Sequence, residues 1–332
     1  MKKFLGTIWI IAMILVLAAC AVGEGGVGDD SKTNGDVILV GYAQVGAESA
    51  WRLANTASFQ ETFGDDPHYD FMFVDCQNKL ENQLAAVSDF IAQEVDYIVI
   101  APVEERGWDQ ILSEAKEAGI PVILSDRMID TADDSLYVAW VGGNFLQEGR
   151  DAMSWLAGYI EKLGREQEIM NIFHIQGTMG SSAQLGRTQG ILEGVASNRN
   201  LVLKEQQTGE FTLAKGQEVM ESWLEEYDPS EMHILIAEND DMAFGAIRAL
   251  EKHGVKPGVD VIIVSFDAVR AAVQAVVDGK INCTVECNPL HGPRVKEIIE
   301  ILEAGGIPDK IKYVEEEYFD INNALEELPN RY

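Results

Sequence analysis

Charged and amide side chains stand at points where apolar runs of this sequence end. In PVILSDRMID, Asp126 and Arg127 follow such a run, and a charge at that junction must be paired or face a ligand, because burying it alone is costly. The segments AENDDM and VSFDA place Asn239 and Asp267 after two further runs. Capping of the next helix is the ordinary role of Asn or Asp there, but three consecutive polar residues exceed what one cap requires. We therefore assign Asn239 to a ligand and Asp240 to the cap.

Aromatic and cationic side chains accompany these groups at predicted helix starts. In QVGAESAWRLAN, Trp51 and Arg52 stand side by side where a helix should begin, so the ring would supply a flat apolar wall and the guanidinium a forked donor. Packing of Trp51 under its own helix is the alternative. Phe211 in TGEFTLAKG and Arg187 in SSAQLGRTQG occupy similar positions. Their alternatives are a hydrophobic staple and a solvated helix arginine.

The chemistry of this set indicates binding without catalysis. It offers Trp, Phe, Arg, Asp and Asn, but no nucleophile paired with a base. The five histidines are scattered without H-E-x-x-H, an i, i+4 pair or C-x-x-C, which argues against zinc, and no G-x-x-x-x-G-K-[ST] loop is present. Carboxylates accept hydrogen bonds from sugar hydroxyls, Arg and Asn donate to them, and rings cover apolar C–H faces. We predict a site for a neutral, hydroxyl-rich ligand, with no cofactor, metal or catalytic residue.

The elements that must position these side chains alternate between strand and helix. Apolar runs rich in Val and Ile predict strands at 37–43, 69–75, 96–101, 121–125, 136–141, 169–175, 201–205, 233–237, 261–265 and 282–286. Amphipathic helices are predicted between them, for example at 81–95 and 107–119. This alternation gives parallel sheets, and ten strands favour two open sheets, although a closed eight-fold barrel uses the same pattern. Ligands of open parallel sheets bind beyond the carboxyl ends of the strands, where the polar residues above stand.

We predict that the cysteines of the folded region are buried thiols without disulfides. Cys283 and Cys287 would lie about 13 Å apart along one strand, too far for a disulfide. Cys76 has no predicted partner either.

The N-terminal segment predicts export and a lipid anchor. Lys2 and Lys3, the apolar FLGTIWIIAMILVLAA and small residues form a signal peptide pattern over 1–19. The sequence LAAC resembles a bacterial lipobox, which implies cleavage before Cys20 and a lipid on its thiol; a chance cysteine is the alternative. Residues 20–35 predict a flexible tether. Their glycines match the G-x-G-x-x-G spacing, but the strand and helix that a dinucleotide site needs are not predicted around them.

Chain length indicates the number of domains, and net charge limits the classes of binding partner. The 332 residues suit two domains. The formal charge of −30 argues against nucleic acid or an anionic membrane surface as a binding partner, because both would repel the chain. A well-solvated extracellular surface explains the same charge.

At these residues the chain resembles the periplasmic binding proteins of the ribose and galactose class, the extracytoplasmic sugar receptors of ABC importers, and especially their galactofuranose-binding branch. The resemblance runs from about residue 37 to the C-terminal region and rests on VGYAQVGAESAWR, GWDQILSEAKEAGIPVILSDR, IQGTMGSSAQLGR and ENDDMAFGAI. It implies ligand contacts at Glu48, Ser49, Trp51, Arg52, Asp126, Arg127, Arg187, Asn239 and Asp267. Phe211 joins this set because of its position at a predicted helix start. Ala50 stands where that relative has glycine, so the exact sugar stays open.

The resemblance also implies an architecture and a role. It implies two doubly wound α/β lobes joined by three hinge strands. The implied lobes are 36–143 plus 290–314 and 144–289 plus 315–332, with crossings near Gly143, Pro289 and Val314. A monomeric receptor, lipid-anchored at the extracytoplasmic face of a cell without an outer membrane, would close on a monosaccharide and deliver it to a permease. Signalling to a sensor kinase or chemoreceptor, or a sugar-modifying enzyme with a general acid and base, are the alternatives. A DNA-binding regulator would need a helix-turn-helix where this chain predicts a signal and tether.

Overall fold

A computed structural model describes residues 37–332; the predicted signal peptide, tether and Cys20 lie outside the described residues. The first of two sheets contains β1 (Ile38–Gln44), β2 (Tyr69–Asp75), β3 (Tyr97–Ile100), β4 (Val122–Ser125), β5 (Ala139–Gly142) and β11 (Ile311–Tyr313). The strand order is β11-β5-β4-β3-β1-β2, and every pairing is parallel.

The second sheet repeats this plan. It contains β6 (Met170–Gln176), β7 (Leu201–Thr208), β8 (Ile234–Ala237), β9 (Ile262–Asp267), β10 (Cys283–Glu286) and β12 (Tyr318–Asp320). The order is β12-β10-β9-β8-β6-β7, and only β12 runs antiparallel to its neighbour. Two open sheets confirm the predicted α/β two-lobe class and replace the barrel alternative.

Helices connect the strands and cover the sheets. They are α1 (Ala50–Phe59, continued by a π-helical turn at Gln60–Gly64), α2 (Leu80–Ala92), α3 (Asp109–Glu117), α4 (Phe145–Lys162), α5 (Ser182–Ser197), α6 (Leu213–Glu226), α7 (Asp240–Lys252), α8 (Arg270–Val277), α9 (Gly292–Glu303) and α10 (Ala324–Glu327). Strands β3, β4, β8 and β9 are buried at every residue. Their continuous apolar runs follow from this cover on both faces. Among residues 37–332, no helix has the length and apolar character needed to cross a bilayer.

The strand bounds differ from the predictions at a few places. The predicted strand 136–141 begins later, because the Asp133 carboxylate accepts a hydrogen bond from the Ser135 amide at 3.0 Å and caps a 3-10 turn at Asp134–Leu136. Strand β7 runs three residues beyond its predicted end. Strands β11 and β12 were not predicted, since three residues are too short to show a period.

The chain passes between the two sheets three times. It leaves the first sheet after β5 and enters α4, which packs on α5 and β10 of the second sheet. It returns between β10 and α9, and it leaves again between β11 and β12. We call 143–144, 287–291 and 314–317 the crossing segments.

Candidate ligand-binding site

The carboxyl ends of strands from both sheets surround one cavity. Its lining residues are Glu48, Ser49, Trp51, Arg52, Asp126, Arg127, Phe145, Ala183, Arg187, Phe211, Asn239, Asp267 and Cys287. The structure therefore brings all ten sequence-predicted site residues to one place.

Three lining residues were missed. Cys287 comes directly after β10, so the strand-end rule could have found it, but it was read only as a buried thiol. Phe145 opens α4 and Ala183 lies in the first turn of α5, beside the motif that carries Arg187. Neither residue type signals a ligand contact by itself. The three cysteines of the described residues are free and buried, as predicted.

On the side of the first sheet, α1 aims Arg52 into the cavity. Ser49 caps this helix by accepting a hydrogen bond from the Arg52 amide at 3.1 Å. The Arg52 Nε donates to Glu48 Oε1 at 3.0 Å, and Nη2 donates to Asp126 Oδ2 at 2.7 Å. Its guanidinium carbon lies 4.7 Å from the Trp51 ring centroid. The paired carboxylates and the ring fix the fork of the arginine.

Asp126 and Arg127 stand at the end of β4 in a backbone turn. Asp126 has a φ of 66°, in the left-handed region; its amide donates to the Val141 carbonyl at 2.8 Å, and its carbonyl accepts from Trp140 Nε1 at 3.1 Å. These bonds hold the strained conformation. Burial alone would raise the pKa of Asp126, but Arg52 and Arg127 outweigh it and lower that pKa, so the carboxylate is ionised.

On the side of the second sheet, Arg187 is buried among acceptors. Its Nε donates to Glu148 Oε2 at 2.7 Å, its Nη2 to Asp267 Oδ1 at 3.3 Å, and its Nη1 to the Glu238 carbonyl. The alternative of a solvated helix arginine is therefore wrong. Asp267 is the last residue of β9 and has a φ of 99°. Burial raises its pKa well above the usual value, although Arg187 opposes the shift.

Asn239 and Asp240 divide their roles differently from the prediction. The Asn239 side chain caps α7 by accepting from the Met242 amide at 2.9 Å, while its Nδ2 donates to the Phe211 carbonyl at 3.0 Å. Asp240 is the first helical residue and points into the sheet, where it accepts from Thr284 Oγ1 at 2.9 Å, among others. Assigning the cap to Asp240 was wrong, because the extended backbone of Asn239 alone lets a side chain reach back to the first turn.

Aromatic rings join the two sides of the cavity. Trp51 Nε1 donates to the Cys287 carbonyl, so this residue of α1 contacts the end of β10 and does not pack only under its own helix. The Phe211 ring lies 5.2 Å from the Arg127 guanidinium carbon, which likewise links the two sheets. Further contacts across the cleft run from the Ala50 amide to Asp241 Oδ2 at 2.8 Å and from the Met128 amide to Ser182 Oγ at 2.9 Å. The two lobes are therefore closed on each other.

Acidic and basic side chains line the cavity in equal number, yet their hydrogen bonding is incomplete. The lining contains three arginines and the three carboxylates of Glu48, Asp126 and Asp267. Within residues 37–332, Glu48 Oε2, Arg52 Nη1 and Arg127 Nε are buried without a hydrogen-bond partner. Buried polar groups normally find partners. A neutral ligand with several hydroxyl groups would supply both donors and acceptors here.

Two α/β lobes that close over a polar cavity at their strand ends define a bilobed ligand-binding protein. A family model described as periplasmic binding protein domain matches residues 40–291, and the chain belongs to this family. Family membership confirms that the chain is an extracytoplasmic binding protein and not an enzyme.

Several known proteins are similar along most of their length. The galactofuranose-binding protein YtfQ of Escherichia coli K12 is 37% identical over 296 residues, which cover 89% of this chain and 91% of the relative. A crystal structure from Mycobacterium smegmatis in complex with β-D-fucofuranose is 40% identical with a TM-score of 0.84, covering 89% of this chain and 95% of that one. The periplasmic binding protein component of the arabinose ABC transporter from Shewanella sp. ANA-3, bound to α- and β-L-arabinofuranose, is 38% identical with a TM-score of 0.83 over 88% and 95% of the chains.

Proposed function

We propose that this protein binds a furanose monosaccharide, a galactofuranose-like hexose or a related sugar, and delivers it to the permease of an ABC importer. The observation that carries the proposal is a cavity lined by three acidic and three basic side chains, in which buried atoms of Glu48, Arg52 and Arg127 still lack hydrogen-bond partners. The relatives support the choice of ring form, since three of them are described with furanose sugars.

The lining side chains suit the two chemistries of a sugar surface. The unpartnered Arg52 Nη1 and Arg127 Nε can donate to hydroxyl or ring oxygens, and Glu48 Oε2 can accept from a hydroxyl. The rings of Trp51 and Phe211 provide apolar walls for C–H faces. Because these groups come from both sides of the cleft, a sugar would make its full set of contacts only in the closed form.

The division of the chain into two lobes would allow the cleft between them to open and close. We propose lobes of 36–143 plus 290–314 and 144–289 plus 315–332, hinged near Gly143, Pro289 and Val314. The three crossing segments and the sheet membership of the strands support this division. A sugar that binds the closed form better shifts the hinge equilibrium toward it. The closed outer surface is then what the permease would recognise.

Furanosides are expected to stabilise the protein and the matching pyranosides are not. We suggest thermal unfolding with methyl furanosides and methyl pyranosides of galactose and arabinose, since a methyl glycoside cannot change its ring form. A ligand at 100 times its Kd adds about 2.7 kcal/mol to the free energy of unfolding. X-ray scattering should show compaction with the same compounds. An equal response to both ring forms would contradict furanose selectivity, and no response to any sugar would contradict the function.

We also propose that the protein is a lipoprotein, anchored through Cys20 at the extracytoplasmic face of the membrane. The LAAC sequence after an apolar segment supports this proposal. In the native host, wild-type protein should fractionate with membranes and incorporate labelled fatty acid, whereas Cys20→Ser should lose the label. Equal labelling of both forms would contradict lipidation at this cysteine.

A further inference from the structure

Two glutamates from different elements meet behind Arg187. Glu148 lies in the first turn of α4, and Glu316 lies in the crossing segment between β11 and β12. One oxygen of each and the Sγ of Cys287 lie within 4.8 Å of one another. Glu148 Oε2 accepts from Arg187 Nε at 2.7 Å, and Glu316 Oε1 accepts from the Asn288 amide at 2.9 Å. Within the described residues, Glu148 Oε1 is buried and has no hydrogen-bond partner.

All three crossing segments touch at this pair. Gly143 comes from the first, Asn288 from the second and Glu316 from the third. A Cβ on Gly143 would lie 2.6 Å from Glu148 Oε1 and 2.8 Å from both Glu316 oxygens, so a side chain here would displace the two carboxyl groups from their present positions. In the proposed hinge motion the backbone of these segments turns, and the packing around the pair would change with it.

The charges around the pair are too negative for two ionised carboxylates. The charged groups that face it are Arg187, Asp126, Asp267 and Glu286, with the Cys287 thiol beside them. Arg187 is already shared with Asp267, and Glu286 is paired with Arg331 at 2.7 Å. One shared guanidinium does not offset two adjacent carboxylates, of which Glu148 is buried and Glu316 is half-buried.

Protonation of one carboxyl removes this repulsion. Burial, together with the charge of Glu148, raises the pKa of Glu316 to about 10, and burial raises the pKa of Glu148. Burial also raises the pKa of Cys287 well above its usual value, so this thiol stays neutral. A proton between the two carboxyls would give Glu148 Oε1 the donor that it lacks.

We propose that Glu148 and Glu316 share one proton in the closed form, and that closure of the cleft on its ligand takes up this proton. The inference rests on the proposed sugar-binding function and adds a linkage to pH. Glu148 is a positioning residue, because it orients Arg187, which lines the cavity.

The direction of the pH effect follows from the linkage. The closed form holds a proton that the open form, in which the turned crossing segments admit water to the pair, releases at lower pH. Sugar affinity should therefore be full below the pKa of the pair in the open form and should be lost as pH rises toward about 10. Between the pKa of the pair in the open form and its pKa in the closed form, the sugar affinity falls by up to roughly tenfold for each pH unit.

Titration calorimetry between about pH 6 and pH 10 tests the linkage. Repeating each titration in buffers of different ionisation enthalpy should show proton uptake by the wild type. In Glu316→Gln, the amide can donate to Glu148 Oε1 at every pH and cannot ionise, so both the uptake and the pH slope should disappear. Glu315→Gln, at the exposed neighbouring position, should keep both. An equal slope in wild type and Glu316→Gln would overturn the proposal.

The outcomes distinguish a failure of the proposed sugar-binding function from a failure of the proton linkage, and two further measurements test the shared proton itself. Binding of no sugar at any pH would overturn the proposed function and with it the linkage, whereas binding with an unchanged slope in Glu316→Gln would overturn the linkage alone. The infrared difference spectrum between wild type and Glu316→Gln at pH 8 should contain a band of a neutral carboxylic acid. Absence of this band from the difference spectrum, with and without sugar, would overturn the shared proton. Elemental analysis that finds one divalent cation per chain, absent from Glu316→Gln, would assign the cluster to a metal instead.

Discussion

Replacing Asp126 by alanine is expected to weaken sugar binding by about 3 kcal/mol, or roughly 100-fold in Kd. The carboxylate binds Arg52 Nη2 at 2.7 Å and lies 3.8 Å from Arg127 Nε. Its removal leaves two buried guanidinium groups with less compensating charge, and a charge that loses its partner is costly. Arg127→Ala is expected to cost a similar amount, because it removes an unpartnered donor and the cation beside Phe211. Titration calorimetry with the sugar that gives the largest thermal shift measures both.

Control variants distinguish a loss of sugar contacts from a loss of the folded structure. Asp130→Ala removes an exposed carboxylate that pairs with exposed Arg106 at 3.3 Å, and it should change affinity by less than about 0.5 kcal/mol. Asp126→Asn keeps the shape of the side chain and removes only its charge, so it serves if the alanine variant unfolds. Circular dichroism confirms that each variant is folded at the temperature used. Wild-type affinity in both Asp126→Ala and Arg127→Ala would remove these residues from the site.

Replacing Gly177 by alanine is expected to displace the Phe211 ring and to lower sugar affinity by roughly tenfold or more. A Cβ at Gly177 would lie 1.9 Å from Phe211 Cζ, far below contact distance. The backbone of Phe211 cannot simply retreat, because its φ is 60° and Asn239 Nδ2 holds its carbonyl at 3.0 Å. The ring must therefore move relative to Arg127 and the cavity that it lines.

A glycine with free space supplies the matched control for this variant. Gly158 lies in α4, and a Cβ there would meet no atom within 4 Å beyond its chain neighbours and its own helix backbone, so Gly158→Ala should leave binding unchanged. It should also raise the free energy of unfolding by about 0.5–1 kcal/mol, because alanine favours the helix. Calorimetry and a crystal structure of Gly177→Ala check the main prediction. Unchanged affinity together with a displaced ring would show that Phe211 does not contact the sugar.

The position of the candidate site could be predicted because it depends on strand ends. Apolar runs show where buried strands finish, and parallel sheets bring those ends to one edge. Asp126, Asn239 and Asp267 were found in this way, and the structure places them around one cavity. Their contact with a sugar stays a prediction. The rule failed for Asp240, because sequence cannot show which of two adjacent acceptors points back to the helix and which points into the sheet.

The sequence by itself determined the alternation of strands and helices and the set of polar strand-end residues, because hydrophobic period and strand ends are local properties of the chain. The choice of two open sheets over a closed barrel rested on the family resemblance until the tertiary structure decided it. Only the tertiary structure decided which charges pair. Arg52 reaches Asp126 across 74 positions, Arg187 reaches Asp267 across 80, and Glu148 meets Glu316 where the crossing segments converge. The short strands β11 and β12 could also be located only from the tertiary structure. A buried charge is stabilised by whichever partner the packed sheets bring within a few ångströms, and that distance is set by the whole fold.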